Sequence, residues 1–188
     1  AGCVTHLYVQ LIFQQMTNLQ TINIASIWRM LEAVTDPEIP VLSVVDMGII
    51  RAVRIDETGL PNRPAVEITI TPTYTGCPAM DVINTSIRLA LIEGGITKHQ
   101  IKTVLYPAWS TDWITESGKQ KLKAYGIAPP QAKSTAPTMN LTEAEETIQC
   151  PQCNSTDTKL ISRFGSTACK ALYQCQDCKE PFDYFKCH

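Results

Sequence analysis

Val66-Glu-Ile-Thr-Ile-Thr-Pro-Thr-Tyr-Thr-Gly-Cys-Pro-Ala-Met80 is the stretch on which the fold turns. Val66, Ile68 and Ile70 alternate with Glu67, Thr69 and Thr71, the period of two expected of a strand with one buried face. Pro78 then opens a helix, at a position where its missing N–H removes no helical hydrogen bond. Met80, Ile83, Ile87 and Leu91 recur at helical spacing on the inner side, and Gly94-Gly95 ends the helix. A strand therefore runs through a threonine-rich corner, past Gly76 and Cys77, straight into a helix.

Working outward, Ile24, Ile27, Trp28, Leu31 and Val34 form an apolar stripe at helical spacing, and Pro37 closes that helix because the residue before proline disfavours the α region. Ile49–Ile55 is rich in β-branched residues and runs into the turn Asp56-Glu57-Thr58-Gly59, so it forms a hairpin with the Val66 strand across a longish loop. A third strand is expected over Ile101–Leu105. A last helix near Trp113–Tyr125 stops at Gly126, suited to a left-handed cap. The order α-β-β-α-β-α predicts a compact α/β (α+β) domain with a small three-stranded sheet over residues 21–127. Residues 128–147, with Pro129, Pro130, Ser134 and Pro137, have linker composition. Residues 148–188 hold most of the cysteines. Residues 1–20 read as a leader, derived from an upstream reading frame or an expression vector. They are apolar in patches, lack Lys and Arg before Met16, and fit a secretory signal poorly.

Composition narrows the function classes. The 188 residues are 44% hydrophobic and 18% charged, as in a globular protein. A net charge of −2 gives no general attraction to nucleic acid or an anionic membrane. No apolar run approaches the roughly 20 residues of a membrane span. Of the eight cysteines, six lie between Cys150 and Cys187. Without a secretory signal, metal ligation in the cytoplasm is the better use for such a cluster than a disulfide framework.

Cys150-Pro-Gln-Cys153 and Cys175-Gln-Asp-Cys178 are two C-x-x-C pairs separated by 21 residues. Four thiolates about 2.3 Å from one ion make a tetrahedral zinc site, and a hairpin between the pairs would bring them together. Leu160-Ile161-Ser162 and Ala171-Leu172-Tyr173 are its expected strands, joined around Gly165-Ser166-Thr167. So short a segment cannot bury enough apolar surface alone, and a structural zinc would supply the missing stability. Iron accepts the same tetrahedral sulfur set. Cys169 and Cys187 are either buried free thiols or ligands for a labile cluster. Five Lys or Arg against four acids in this module leave about +1, little for a phosphate backbone, so a nucleic-acid ribbon is disfavoured. Its aromatic residues exceed what a small core needs, and the surplus suits a protein-contact face.

Cys77 is expected at the N-cap of the second helix or beside it, where free amides and the helix dipole favour thiolate. There it could ligate iron, accept a persulfide or attack an electrophile, or it could simply fill a tight corner. Asp36 and Glu38, in Asp36-Pro-Glu-Ile-Pro40, and Asp46 are turn formers or ligands, with Asp46 facing the Cys77 corner. The three histidines lie in the leader (His6), a polar loop (His99) and the terminus (His188). No Glu-x-x-His di-iron motif occurs, which argues against direct oxygenase catalysis.

Asp36-Pro-Glu-Ile-Pro-Val-Leu42, Val45-Asp-Met-Gly-Ile49 and Thr71-Pro-Thr-Tyr-Thr-Gly-Cys-Pro-Ala79 resemble the small α/β domain of iron–sulfur assembly factors. Pro107-Ala-Trp-Ser-Thr-Asp-Trp113, Ser162–Tyr173 and Glu180–Cys187 narrow the resemblance to the phenylacetate-degradation protein D family. It covers roughly Ile24 to Cys187. What it implies is a non-catalytic, cytoplasmic accessory protein of a phenylacetyl-CoA epoxidase. That complex joins a di-iron oxygenase to a reductase with flavin and a [2Fe–2S] cluster, and its components would be the partners. The family's domain cysteine falls on Cys77, a candidate for transient iron or iron–sulfur cluster transfer. Cys150, Cys153, Cys175 and Cys178 fall on the ribbon ligands, and Cys169 and Cys187 lie within matching motifs. A docking protein with no cofactor beyond zinc is the alternative, and a homo-oligomer stays open.

Overall fold

A computed structural model describes residues 22–56, 65–131 and 148–186. The leader, the tip of the hairpin loop, most of the expected linker, Cys3, Cys187, His6 and His188 lie outside the described residues.

Helix α1 (Ile24–Glu32) starts where Asn23 caps it: the Asn23 side chain accepts from the Ser26 N–H at 2.8 Å, and Ser26 Oγ accepts from the Asn23 N–H at 3.0 Å. Ile27 and Leu31 are fully buried, whereas Ile24 stands half exposed. The helix stops well before Pro37. From Val34 onward the backbone is drawn into other bonds: Val34 O accepts from Val44 N, Asp36 N donates to Leu42 O, and Thr35 bridges Ser43. The chain leaves α1 to pair with its own return, so proline is not what ends it.

Strands β1 (Ile50–Asp56) and β2 (Ala65–Ile70) form the expected antiparallel hairpin. Helix α2 (Ala79–Glu93) carries the chain over to β3 (His99–Thr103), which lies parallel to β2 and makes β2 the central strand. That position explains the alternating pattern, because Val66, Ile68 and Ile70 face the helices and are all but completely buried. The third strand begins two residues earlier than the β-branched run suggested. His99 pairs with Val66 inside it instead of lying in a loop, its ring Nδ1 3.1 Å from Ile96 O. A 3-10 turn (Thr111–Trp113) precedes helix α3 (Glu116–Ala124), which Thr115 caps by accepting from Gly118 N at 3.0 Å. Gly126 follows with φ +89°, the left-handed termination expected of it.

A second sheet has the order β4-β7-β6-β5, from β4 (Ile127–Ala128), β5 (Thr158–Ser162), β6 (Lys170–Cys175) and β7 (Pro181–Phe185). β5–β6 is the anticipated hairpin. β7 adds antiparallel to β6, and β4, the end of the N-terminal segment, joins β7 in parallel. The first core reaches into the second sheet, whose remaining buried residues, Ala171, Phe182 and Tyr184 among them, form a smaller cluster of their own. Phe185 and Cys169 are buried in the same cluster as Leu31, Ile39 and Leu91, and the Phe185 ring meets Trp109 edge-on at 6.1 Å between centroids. The ribbon's aromatic residues are thus mostly consumed inside. Phe182 and Tyr184 sit around Tyr173, Phe185 fills the junction, and Phe164 is left well exposed. Among the described residues no helix is long and apolar enough to cross a membrane.

Candidate metal centre and the Cys77 corner

The Cys150-Pro-Gln-Cys153 turn precedes β5, and Cys175-Gln-Asp-Cys178 closes the turn between β6 and β7. Their four sulfurs lie within 4.8 Å of one another, with Cys150 Sγ–Cys178 Sγ at 3.8 Å and Cys153 Sγ–Cys175 Sγ at 3.5 Å. Four sulfurs at 2.3 Å around a tetrahedral ion would stand about 3.8 Å apart, so the donor set fits a single thiophilic metal. Cys150 and Cys175 are buried and Cys153 exposed, so the site is anchored on one side and approached from the other.

The two turns are the same turn built twice. Cys150 N donates to Ser155 O at 2.8 Å, and Cys175 N donates to Glu180 O at 3.0 Å, each closing a loop of six residues. In each turn the residue after the second cysteine has positive φ: Asn154 at 62° and Lys179 at 66°. Asparagine tolerates that region and lysine does so at a cost. The repeat turns backbone N–H groups toward sulfur. At Cys175 burial raises the thiol, but the N–H groups of Cys178 and Asp177 outweigh it and bring it down to about 7. At Cys178 the Glu180 N–H lowers the thiol, yet burial and the neighbouring thiols push it up to about 12. Four thiols cannot all ionise against one another. A cation among them removes the conflict.

Cys77 sits one residue before Pro78, the N-cap of α2, which makes no side-chain cap bond. Its N–H donates to Tyr74 O at 3.3 Å and its carbonyl accepts from Met80 N at 3.2 Å. Gly76 supplies the φ of +82° that swings the loop into the helix. The Cys77 side chain is half-buried against the core. Burial first, then the charge and hydrogen bond of Cys77, push the Tyr74 phenol up to about 12, and Glu38 and Cys169 act in the same direction. Tyr74 lies inside the Thr71–Ala79 motif, but sequence reasoning gave it no role of its own. Its place between Thr73 and Thr75, beside the one cysteine of the N-terminal domain, is the available signal. The same loop, with Leu105, Ala108 and Trp109, lines an open cavity of about 350 Å³.

The carboxylates divide. Asp36 Oδ1 accepts from Glu38 N and Ile39 N, both at 2.8 Å, and burial raises its pKa against those bonds. Asp46 is held by Ser43 N–H at 3.1 Å, Ser43 Oγ–H at 2.9 Å, Thr115 Oγ1–H at 3.2 Å and Lys121 Nζ at 2.6 Å, which ties the loop before β1 to α3. Its oxygens are thereby engaged with these partners. Glu38 instead reaches the second sheet, where Cys169 Sγ lies 3.7 Å from its Oε2. That meeting of residues 131 positions apart leaves no local trace in the sequence.

Two family models match the chain: an iron–sulfur cluster assembly protein over residues 24–98 and the PaaD zinc beta ribbon domain over residues 134–186. An Escherichia coli (strain K12) protein, named as the fourth-lettered component of a "Putative 1,2-phenylacetyl-CoA epoxidase", is 42% identical over 174 residues, 93% of this chain and 99% of that protein. An "Fe-S protein maturation auxiliary factor" of Porphyromonas gingivalis is 35% identical over 95 residues, 50% of this chain and 85% of that protein. Among solved structures, a domain of unknown function DUF59 from Bacillus anthracis aligns with TM-score 0.46 and 28% identity, covering 52% of this chain and 89% of that one.

Proposed function

The chain belongs to the PaaD family of phenylacetyl-CoA epoxidase components, and from that premise we propose that it is a cytoplasmic, non-catalytic maturation factor that passes iron or an iron–sulfur unit to the other components of such an epoxidase. The observation that carries this reading is the half-buried Cys77 thiol. It lies at a strand–helix corner within the segment matching an iron–sulfur assembly protein. A carrier must release what it holds, and one half-buried thiol beside the Tyr74 hydroxyl binds more weakly than a closed four-thiolate cage. The four-cysteine centre would then hold a structural zinc and keep the ribbon folded for docking, and Cys77 would hold the cargo.

Cys77→Ala, expressed with the oxygenase and reductase components, is expected to leave the complex assembled but poor in iron and acid-labile sulfide. Metal and sulfide contents equal to those obtained with wild type would sink the carrier reading. A second reading, a docking protein that carries no cargo, draws on Val82, Leu89 and Ile92. These form one roughly half-exposed apolar stripe on the outer side of α2. On that reading, oxygenase already reconstituted with iron would still need this protein for turnover.

A further inference from the structure

We propose that the rim of the ribbon along β5, from Lys159 to Phe164 and joined there by Lys186, is a docking surface for an extended, acidic segment of a protein partner, which adds to the sheet as a strand beside β5. This goes beyond the carrier reading of Cys77 and does not depend on it.

β5 stands last in the order β4-β7-β6-β5, so among the described residues one of its long sides carries no neighbouring strand. Asp157 O accepts from Gln176 N on the β6 side, and successive residues of an antiparallel strand turn their N–H and C=O groups to alternate sides. By that alternation the N–H and C=O of Leu160 point away from β6. The side chains of the same rim are strongly apolar. Leu160, Ile161 and Phe164 are 40%, 52% and 64% exposed within five residues, whereas exposed apolar side chains on a surface are normally scattered singly. Lysines and bulges are means by which a sheet discourages pairing at its edge, and both occur here, as Lys159 and as the shift of register between Leu160 and Ser162. They shorten the ladder that can form, but a rim guarded against contact would not carry three large apolar side chains.

Charge selects the occupant. Residues 158–176 contain Lys159, Arg163 and Lys170 and no Asp or Glu. Lys170 is buried and lies 3.7 Å from Asp183, whereas Lys159 and Arg163 are exposed on the rim. Lys186 Nζ stands 4.7 Å from the centre of the Phe164 ring. Partial burial first, then the charge of Arg163, lower the Lys186 pKa, with Cys169 acting the other way, so two cations and an aromatic ring meet at the far end of β5. The nearest acids in sequence, Asp157 and Asp177, stand at the opposite end beside the metal centre, where Asp177 accepts from Ser155 Oγ. An acidic strand would set carboxylates against the rim cations while its apolar side chains cover Leu160, Ile161 and Phe164. A nucleic acid fits less well, because bases stack on aromatic faces and two of these three apolar side chains are aliphatic. A second copy would bring the same cations to the same rim and is disfavoured.

The test uses the full chain with zinc in the four-cysteine centre, titrated with a short blocked peptide of alternating glutamate and valine. Binding that weakens as salt rises, together with slowed hydrogen exchange at the Leu160 amide, is expected. Lys159→Glu combined with Arg163→Glu is expected to weaken it at least about tenfold. Both positions are exposed, so unchanged exchange protection in β6 would show the ribbon intact in that variant. No binding at millimolar peptide, or wild-type affinity after the charge reversal, would overturn the docking surface. Equal binding of a peptide alternating lysine and valine would overturn it too, by removing the charge argument. Binding that leaves the Leu160 amide unprotected would overturn the strand pairing. A single-stranded oligonucleotide that displaces the peptide and binds more tightly would assign the rim to nucleic acid instead. A wild-type dimer that dissociates on charge reversal, read by sedimentation, would assign it to a second copy. None of these results touches Cys77, whose role is decided by the iron content of the co-expressed oxygenase.

Discussion

Truncating Phe185 to alanine probes whether the ribbon and the α/β segment form one cooperative unit. Phe185 is fully buried, sits in the N-terminal core cluster and meets Trp109 edge-on at 6.1 Å. Phe→Ala in a core costs about 3–5 kcal/mol, a figure that includes the cavity left behind. The aromatic pair accounts for roughly 1 kcal/mol of specific contact that a smaller apolar residue cannot replace. We therefore expect a loss of about 4 kcal/mol, and about 1 kcal/mol for Phe185→Leu, which keeps most of the volume. All three tryptophans, Trp28, Trp109 and Trp113, precede Gly126, so their fluorescence reports the N-terminal segment although the substitution lies in β7. With a urea dependence of about 2 kcal/mol per molar, the fluorescence midpoint should fall by about 2 M. A fluorescence transition that stays at the wild-type midpoint while the ribbon loosens would refute the shared core.

Two carboxylates on neighbouring turns should respond to acid with opposite sign. Burial alone would raise Asp46, but Lys121 and the Ser43 donors hold it below the usual carboxylate range. Its stabilisation is thus present above about pH 4 and lost as pH falls further. Asp46→Asn should cost about 1–3 kcal/mol at pH 7 and flatten that acid decline, and a urea-midpoint curve parallel to wild type below about pH 4 would contradict it. Asp36 is raised by burial, so its ionisation opposes folding as pH rises past the ordinary carboxylate range. Asp36→Asn keeps the oxygen that accepts from Glu38 N and Ile39 N, so at pH 7 it should be at least as stable as wild type by the same assay. Cys153→Ser should release the ribbon metal. Apparent binding energies of about 10–16 kcal/mol for such sites exceed what this small sheet can replace, so protection of the β5–β7 amides from hydrogen exchange should collapse. Protection at wild-type level in that variant would show that the sheet stands without its fourth thiolate.

Local periodicity made the first sheet legible. Val66, Ile68 and Ile70 alternate because β2 is central with one face against helices, and α2 follows because Ile83, Ile87 and Leu91 share a side. Where several forces competed, boundaries moved. α1 ends at Glu32 because Val34 and Asp36 find backbone partners across the turn, which no stripe of apolar residues reveals. β4 is two residues long and β7 interleaves aromatics with Asp183, so neither shows a run long enough to detect. The four clustered cysteines were visible because each C-x-x-C pair is written within four residues. The approach of Glu38 to Cys169 was not, since tertiary packing alone brings them together.

The parallel pairing of Ile127–Ala128 with Asp183–Tyr184 gives the second sheet its outer border. A chain cut within 132–147 to liberate the ribbon would strip that border away and leave the N–H and C=O groups of β7 facing water. An unpaired, aromatic-rich edge of this kind is a template for pairing with another copy. The polar stretch that looks like the natural place to divide the protein is therefore a poor place to cut it. An excised ribbon, even fully metallated, would tend to self-associate where the intact chain is already sealed.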